Sequence, residues 1–150
     1  MTPITHATLV MERTYKASPA RVFAAWEDKE ARERWQAPDE TIRIRYEESN
    51  FHQGGRDVAR CIEQDGAEFL ATVHYLDIRR SERIVFTEAV AQGDANVSAA
   101  LICVELYPVS EGTRQLVTMQ IAAFDGSGME KGYEHGWGLA LDNIAKEFAR

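Results

Sequence analysis

One carboxylate stands out among the residues able to do chemistry. Glu88 sits in Ile84-Val85-Phe86-Thr87-Glu88-Ala89-Val90, a segment apolar on both faces of any strand it forms. On the face shared with Ile84, Phe86 and Val90 it would enter the interior. A carboxylate there needs a cation or hydrogen-bond donors, or it keeps its proton to abnormally high pH. Such a group can orient a ligand or act as a general base. At a rim position it would simply face water, and the sequence leaves both placements open. Arg60, between Val58 and Ile62 on one strand face, is the partner expected for an inward Glu88.

Histidine and cysteine offer less. The four histidines, His6, His52, His74 and His135, make no HxH, HExxH or HxxxH spacing that would set two ligands on one face, so no metal is expected. His74 shares a strand face with Leu70, Thr72 and Leu76, where a lone imidazole is structural or exposed. Cys61 and Cys103 have no histidine within two residues and lie amid apolar or β-favouring neighbours. They read as two buried thiols of a reducing compartment rather than a disulfide. There is no GxSxG elbow, and Gly126-Ser127-Gly128 precedes a helix, where a turn and a cap suffice. Glycine-rich phosphate loops are absent. Neither a nucleotide nor another cofactor is expected, and no residue is assigned as catalytic.

Charge narrows the partners. With 24 acidic and 17 basic residues the net charge is -7, and no Lys/Arg cluster offsets it locally. Phosphate backbones and anionic lipid are repelled, so nucleic acid is not an expected partner. No apolar run approaches the ~18 residues of a membrane span, and no membrane insertion is expected. Met1-Thr2-Pro3-Ile4-Thr5-His6 lacks a basic-then-apolar leader, which leads to the expectation of a cytoplasmic protein. A chain of 150 residues, 45% hydrophobic and 27% charged, reads as one globular domain over residues 1–150.

The elements that must position these residues follow from patterning. Thr5–Tyr15 is rich in β-favouring residues and reads as a first strand. Ser18 can cap, and Pro19 suits the first helical position, so a short helix with Val22, Phe23 and Trp26 on one side follows. A second runs from Asp28 to Trp35 and ends before Pro38. Six strands are then predicted, over 41–47, 56–63, 67–78, 83–91, 97–107 and 113–124. Their short turns imply an antiparallel meander.

After Asp125-Gly126-Ser127-Gly128, one helix is predicted to Arg150, about 22 residues and about 33 Å long. Met129, Tyr133, Trp137, Ala140, Leu141, Ile144 and Phe148 share its apolar arc, while Lys131, His135, Asp142 and Lys146 fall opposite. Gly132 and Gly136 edge the arc and weaken the helix by up to ~1 kcal/mol each. Their missing side chains either permit close packing, which is the first expectation, or leave room for a ligand. The fold class is α+β: a curved seven-stranded antiparallel sheet wrapping a long C-terminal helix, with two short helices after strand 1.

These segments also resemble a known family when taken in order. Val22-Phe23-Ala24-Ala25-Trp26-Glu27-Asp28-Lys29-Glu30, then Arg34-Trp35-Gln36-Ala37-Pro38, is similar to the opening of proteins homologous to the C-terminal domain of the heat-shock protein 90 ATPase activator. Arg13-Thr14-Tyr15-Lys16-Ala17-Ser18-Pro19 fits the same family's lead. Gly54-Gly55-Arg56 resembles its turn, Glu105-Leu106-Tyr107-Pro108 with Gly112-Thr113-Arg114 its hairpin, and Gly136-Trp137 with Leu141-Asp142-Asn143-Ile144 its closing helix. Arg79-Arg80-Ser81 departs from it, standing where relatives often carry prolines. The family lies in a superfamily with START lipid-transfer domains, birch-pollen-allergen-like proteins and polyketide cyclases. The resemblance implies a helix-grip fold with a cavity between the C-terminal helix and the sheet, and brings no fixed catalytic motif.

The expected function is non-enzymatic binding of a small, largely apolar or aromatic molecule in that cavity. Trp35 and Phe51 are expected near its entrance, Tyr75, Phe86, Met119, Tyr133 and Trp137 along its walls, and Glu88 and Arg60 as polar anchors. Two other readings stay open. An enzyme of the cyclase, aromatase or hydrolase kind requires an inward Glu88 beside a second titratable group. A chaperone-associated interaction module requires an exposed apolar patch. Monomer and homodimer both remain compatible with the sequence.

Overall fold

Strand alternation and two capped breaks account for most of the architecture. The computed structural model describes residues 3–149; Met1-Thr2, and Arg150 at the expected end of the last helix, lie outside the described residues. Seven strands, β1 (Thr5–Tyr15), β2 (Ile42–Ser49), β3 (Arg56–Glu63), β4 (Glu68–Arg79), β5 (Arg83–Gln92), β6 (Ala95–Val109) and β7 (Gly112–Ala123), form one antiparallel sheet. Its spatial order is β1-β7-β6-β5-β4-β3-β2, so the first strand closes against the last. Register shifts between Tyr46 and Glu48, Tyr75 and Asp77, and Val90 and Ala91 mark where the sheet bends.

Helices α1 (Pro19–Glu27), α2 (Lys29–Trp35) and α3 (Met129–Asn143) cover one face. Ser18 Oγ accepts from the Arg21 N–H at 3.3 Å, with Pro19 opening α1. Asp28 then ends α1 and caps α2, accepting from the Glu30 N–H at 3.2 Å. α3 packs on β1 and β7 and touches α2. Between the layers lie Ile102, Val104, Val117, Met119, Leu141 and Ile144, all fully buried.

The last helix departs from expectation. It is α-helical only to Asn143 and continues as a 3-10 turn over Ile144–Ala149. The Tyr15 hydroxyl donates to the Leu141 carbonyl at 2.5 Å, occupying an acceptor that would otherwise extend the α ladder. The tighter turn brings Phe148 edge-on to Tyr15, with ring centroids 5.5 Å apart.

The α3 glycines also depart from expectation. A Cβ at Gly132 would meet nothing within 4 Å, and one at Gly136 only Pro38 Cγ at 3.9 Å, so neither is demanded by close packing. Gly112 is different. Its φ is +145°, and a Cβ there would come within 2.3 Å of the Tyr15 carbonyl oxygen.

A buried ion pair ties the helices to the sheet. Arg32, 2% exposed, donates through Nη2 to Asp57 Oδ2 at 3.3 Å and to Ser49 Oγ at 2.7 Å. Its Nη1 donates to the Trp26 and Glu27 carbonyls, closing the α1–α2 break. Asp57 also accepts from the Tyr75 hydroxyl and from the Asn50 N–H at 2.9 Å. Asp57→Ala would strand the buried guanidinium and is expected to cost about 3–5 kcal/mol in denaturant unfolding, whereas a loss within ~1 kcal/mol would show that Arg32 finds water instead. Gly132→Ala is expected to gain about 0.5–1 kcal/mol, read as a raised Tm, because the helix improves and nothing clashes.

Candidate functional site

β5 presents Ile84, Phe86, Glu88 and Val90 to the interior, and three of the four are nearly sealed: Ile84, Phe86 and Val90. Glu88 shares their face and is half-buried. Register sets it opposite Val73 of β4 and Ala100 of β6. From α3, the buried Tyr133 hydroxyl donates to Glu88 Oε1. Among the described residues no Lys, Arg or His forms an ion pair with Glu88.

Burial pushes the Glu88 carboxyl above its ordinary range, against the weaker downward pull of the Tyr133 hydrogen bond. Burial, reinforced by the Glu88 charge, pushes the Tyr133 hydroxyl well above 10, so it stays a neutral donor. Ser98, 1% exposed on the neighbouring β6, faces that hydroxyl, yet its Oγ makes no hydrogen bond of good geometry. The arrangement is an acceptor without a counter-ion, a fixed neutral donor and an unengaged hydroxyl.

Beside this cluster the inner face is incompletely covered. Ile42, Ile44 and Tyr46 of β2, Cys61 of β3, and Phe69 and Ala71 of β4 are all half-buried, with only Ala59 sealed among them. Burial, with Glu63 and Glu88 nearby, pushes the Cys61 thiol up to about 11, which makes it a poor nucleophile. Both cysteines are free and half-buried rather than fully buried. They lie on opposite faces of the sheet, Cys61 inward and Cys103 outward.

The expected site residues divide into three groups. Glu88, Tyr133 and the half-buried Trp137 border the incompletely covered end, Trp137 stacking on Trp26 at 6.0 Å. Tyr75, Phe86 and Met119 line the interior but are packed, at 5%, 5% and 0% exposure. Phe51 bridges Phe23 and Tyr75, at 5.6 and 4.9 Å, half-buried at the edge of that cluster.

Two expectations are corrected. Trp35 is not at an entrance: it is 1% exposed, and its indole N–H donates to the Ala25 carbonyl at 2.9 Å. Arg60 does not face Glu88, because β3 turns Asp57 and Ala59 inward and Arg60 outward. There it pairs with Glu47 of β2 and, at 3.4 Å, with Glu68 of β4.

The sequence reading passed over Arg32, Asp57 and Ser98. Arg32 could have been found from its place three residues before Trp35, on the same side of α2. Ser98 carries only the weak signal of a hydroxyl in an apolar strand.

A curved antiparallel sheet laid against a C-terminal helix defines a helix-grip protein of START-like fold, and the Tyr133–Glu88 donor–acceptor pair lies between its two layers. The profile of the "Activator of Hsp90 ATPase homolog 1-like protein" family matches residues 16–149, and the chain belongs to that family. Among solved structures it is similar to one from Rhizobium leguminosarum at 30% identity and TM-score 0.88, covering 99% of this chain and 97% of that one. The Mll3558 protein of Rhizobium loti is 37% identical, with a TM-score of 0.86 and coverage of 97% and 99%. The CV1439 protein of Chromobacterium violaceum shares the fold at 24% identity and TM-score 0.80, covering 93% and 94%. No curated protein matches the chain.

The raised Glu88 carboxyl has a measurable consequence. The folded chain holds this proton to higher pH than the unfolded chain, so stability falls as pH climbs from the ordinary carboxylate range to the raised value. Glu88→Gln keeps an acceptor for Tyr133 and cannot ionise. Its Tm is expected to exceed that of the wild type at neutral pH, and the difference to vanish in acid. Parallel Tm profiles across pH would mean that Glu88 titrates as it would in water.

Proposed function

We propose that the chain binds a small, neutral, largely apolar or aromatic molecule carrying one hydroxyl or N–H donor, at the incompletely covered end of the helix–sheet interior. The observation that carries this reading is the inward Glu88 carboxylate, held by a neutral Tyr133 and by no cation. An anionic ligand such as a fatty acid would bring its charge beside the Glu88 carboxyl in a poorly solvated place with no cation to balance it, which opposes its binding. A neutral phenol or alcohol donates to the second Glu88 oxygen and reaches Ser98, while its apolar body lies among Ala59, Ala71, Phe69 and Trp137. Family membership supports ligand binding in this general location.

The inward Glu88 beside a second titratable group also favours an acid–base enzyme using the same cleft. Glu88→Gln separates the two readings. In the enzyme it abolishes turnover with affinity retained, whereas in the binder it weakens binding and there is no turnover to lose.

Tryptophan fluorescence reports on binding directly, since Trp137 borders the cleft. Titration with naphthol is expected to saturate, and titration with palmitate to leave the signal unchanged. Trp137→Ala should weaken naphthol binding by more than ~1 kcal/mol. Saturable palmitate binding with naphthol silent would overturn the neutral-ligand reading, and silence of both would overturn binding at this end.

A further inference from the structure

The outer face of the sheet is built unlike a solvated one. An antiparallel sheet with one covered face normally turns polar and charged residues to water. Here two adjacent rows of outward residues cross five strands without an Asp, Glu, Lys or Arg. One runs His6, Ala122, Ala99, Ala89, Thr72 and the other Thr8, Gln120, Leu101, Thr87, His74. A third, Val10, Thr118, Cys103 and Val85, is uncharged until it ends at Asp77, which is paired with Arg83. The alanines and threonines floor a broad groove of about 660 Å³. Beside it protrude Val10 at 64% and Leu76 at 53% exposure, the latter pushed out by the β4 irregularity.

We infer that this face is a self-association surface and that its occupant is the same face of a second copy of the chain. Three observations select that partner. Its polar groups are hydroxyl, amide and imidazole, each both donor and acceptor, so the surface can pair with itself as a two-fold interface requires. At the margin Arg114 pairs with Glu12 at 2.9 Å and Arg60 with Glu47 and Glu68, and the two uncharged rows themselves offer no charge for an oppositely charged partner to meet. Two chains of net charge -7 repel elsewhere but meet here without like charges in contact.

The three rows span roughly 24 Å by 20 Å, about 500 Å² in projection, from strand spacing and rise. Side-chain relief adds to this, and two facing copies come to the lower end of stable interfaces, near 1,200 Å² in total. In that dimer the protruding Val10 and Leu76 of each copy seat against the small-residue floor of the other.

Sedimentation velocity from low to several-hundred-micromolar chain is the test. The wild type is expected to move from the mass of one chain to that of two. Ala99→Arg places a charge in the exposed middle of the floor, and like-charge contact there should weaken association at least about tenfold. Gln120→Glu, also at an exposed position, makes the same test should the first variant fold poorly. Glu134→Arg on the exposed side of α3 should leave association intact. A wild type that stays a single chain throughout, or a dimer indifferent to both outer-face variants, overturns the inference, as does loss of the dimer only in Glu134→Arg.

Discussion

The buried Arg32–Asp57 pair is the constraint from which the geometry of the rest follows. A guanidinium 2% exposed is costly, and it is tolerated because acceptors converge on it from three segments. The Trp26 and Glu27 carbonyls come from the α1–α2 break, Ser49 from β2, and Asp57 from β3. The rings of Tyr46 and Phe51 lie 4.6 and 5.7 Å from the guanidinium carbon. Fixing α1 and α2 in this way fixes Trp26 and Trp35, whose rings lie 4.8 Å apart. Trp137 stacks on Trp26 and meets Trp35 at a tilt, and the Asn143 amide donates to the Ala37 carbonyl at 3.0 Å. The path of α3 is set by these contacts, and so is the point at which Tyr133 reaches Glu88.

A second buried network also holds the C-terminal end of α3. The Trp26 indole donates to Gln115 Oε1 at 2.8 Å, the Gln115 amide donates to the Tyr15 oxygen at 3.3 Å, and Tyr15 donates to the Leu141 carbonyl. Each polar group on this path is engaged, as burial demands. Ser98 lies on neither network. With Arg32 Nε and Glu130 Oε1, its Oγ is one of three buried side-chain polar atoms left without a partner among the described residues, and it is the one beside the Glu88–Tyr133 contact; exceptions of this kind concentrate at functional sites.

Element order, both short helices and all seven strands were legible because they rest on local signals: Ser18-Pro19, Asp28, the paired turn glycines and period-two alternation. The inward Glu88 was legible as a candidate because a carboxylate in a doubly apolar strand is anomalous whichever way it points. What failed was the facing of β3. Val58 and Ile62 are more apolar than Ala59 and Cys61, so hydrophobicity alone turns Val58, Arg60 and Ile62 inward. The structure turns Asp57, Ala59 and Cys61 inward instead. Register with β2 and β4 and the Arg32 contact decide this, and both are long-range facts with no local signature. The 3-10 ending of the last helix was hidden for the same reason, since it answers to Tyr15, 126 residues away in sequence from Leu141.

The β3 error and the uncharged outer face have one origin. A strand's facing can be read from sequence only when its two faces differ in polarity, and in this sheet they differ little across β3 to β6. A one-sided sheet exposed to water has no reason to place Leu101, Val85, Ala89 and Ala99 outward, and exposed apolar surface of this extent works against solubility and invites association. Glu88 is then the inverse case: a charge on the covered face of the very strand whose outer face is uncharged. Polarity on β5 is inverted relative to ordinary solvent logic. Both inversions make physical sense if each face has something other than water to meet, a small donor-bearing molecule within and a matching protein surface without.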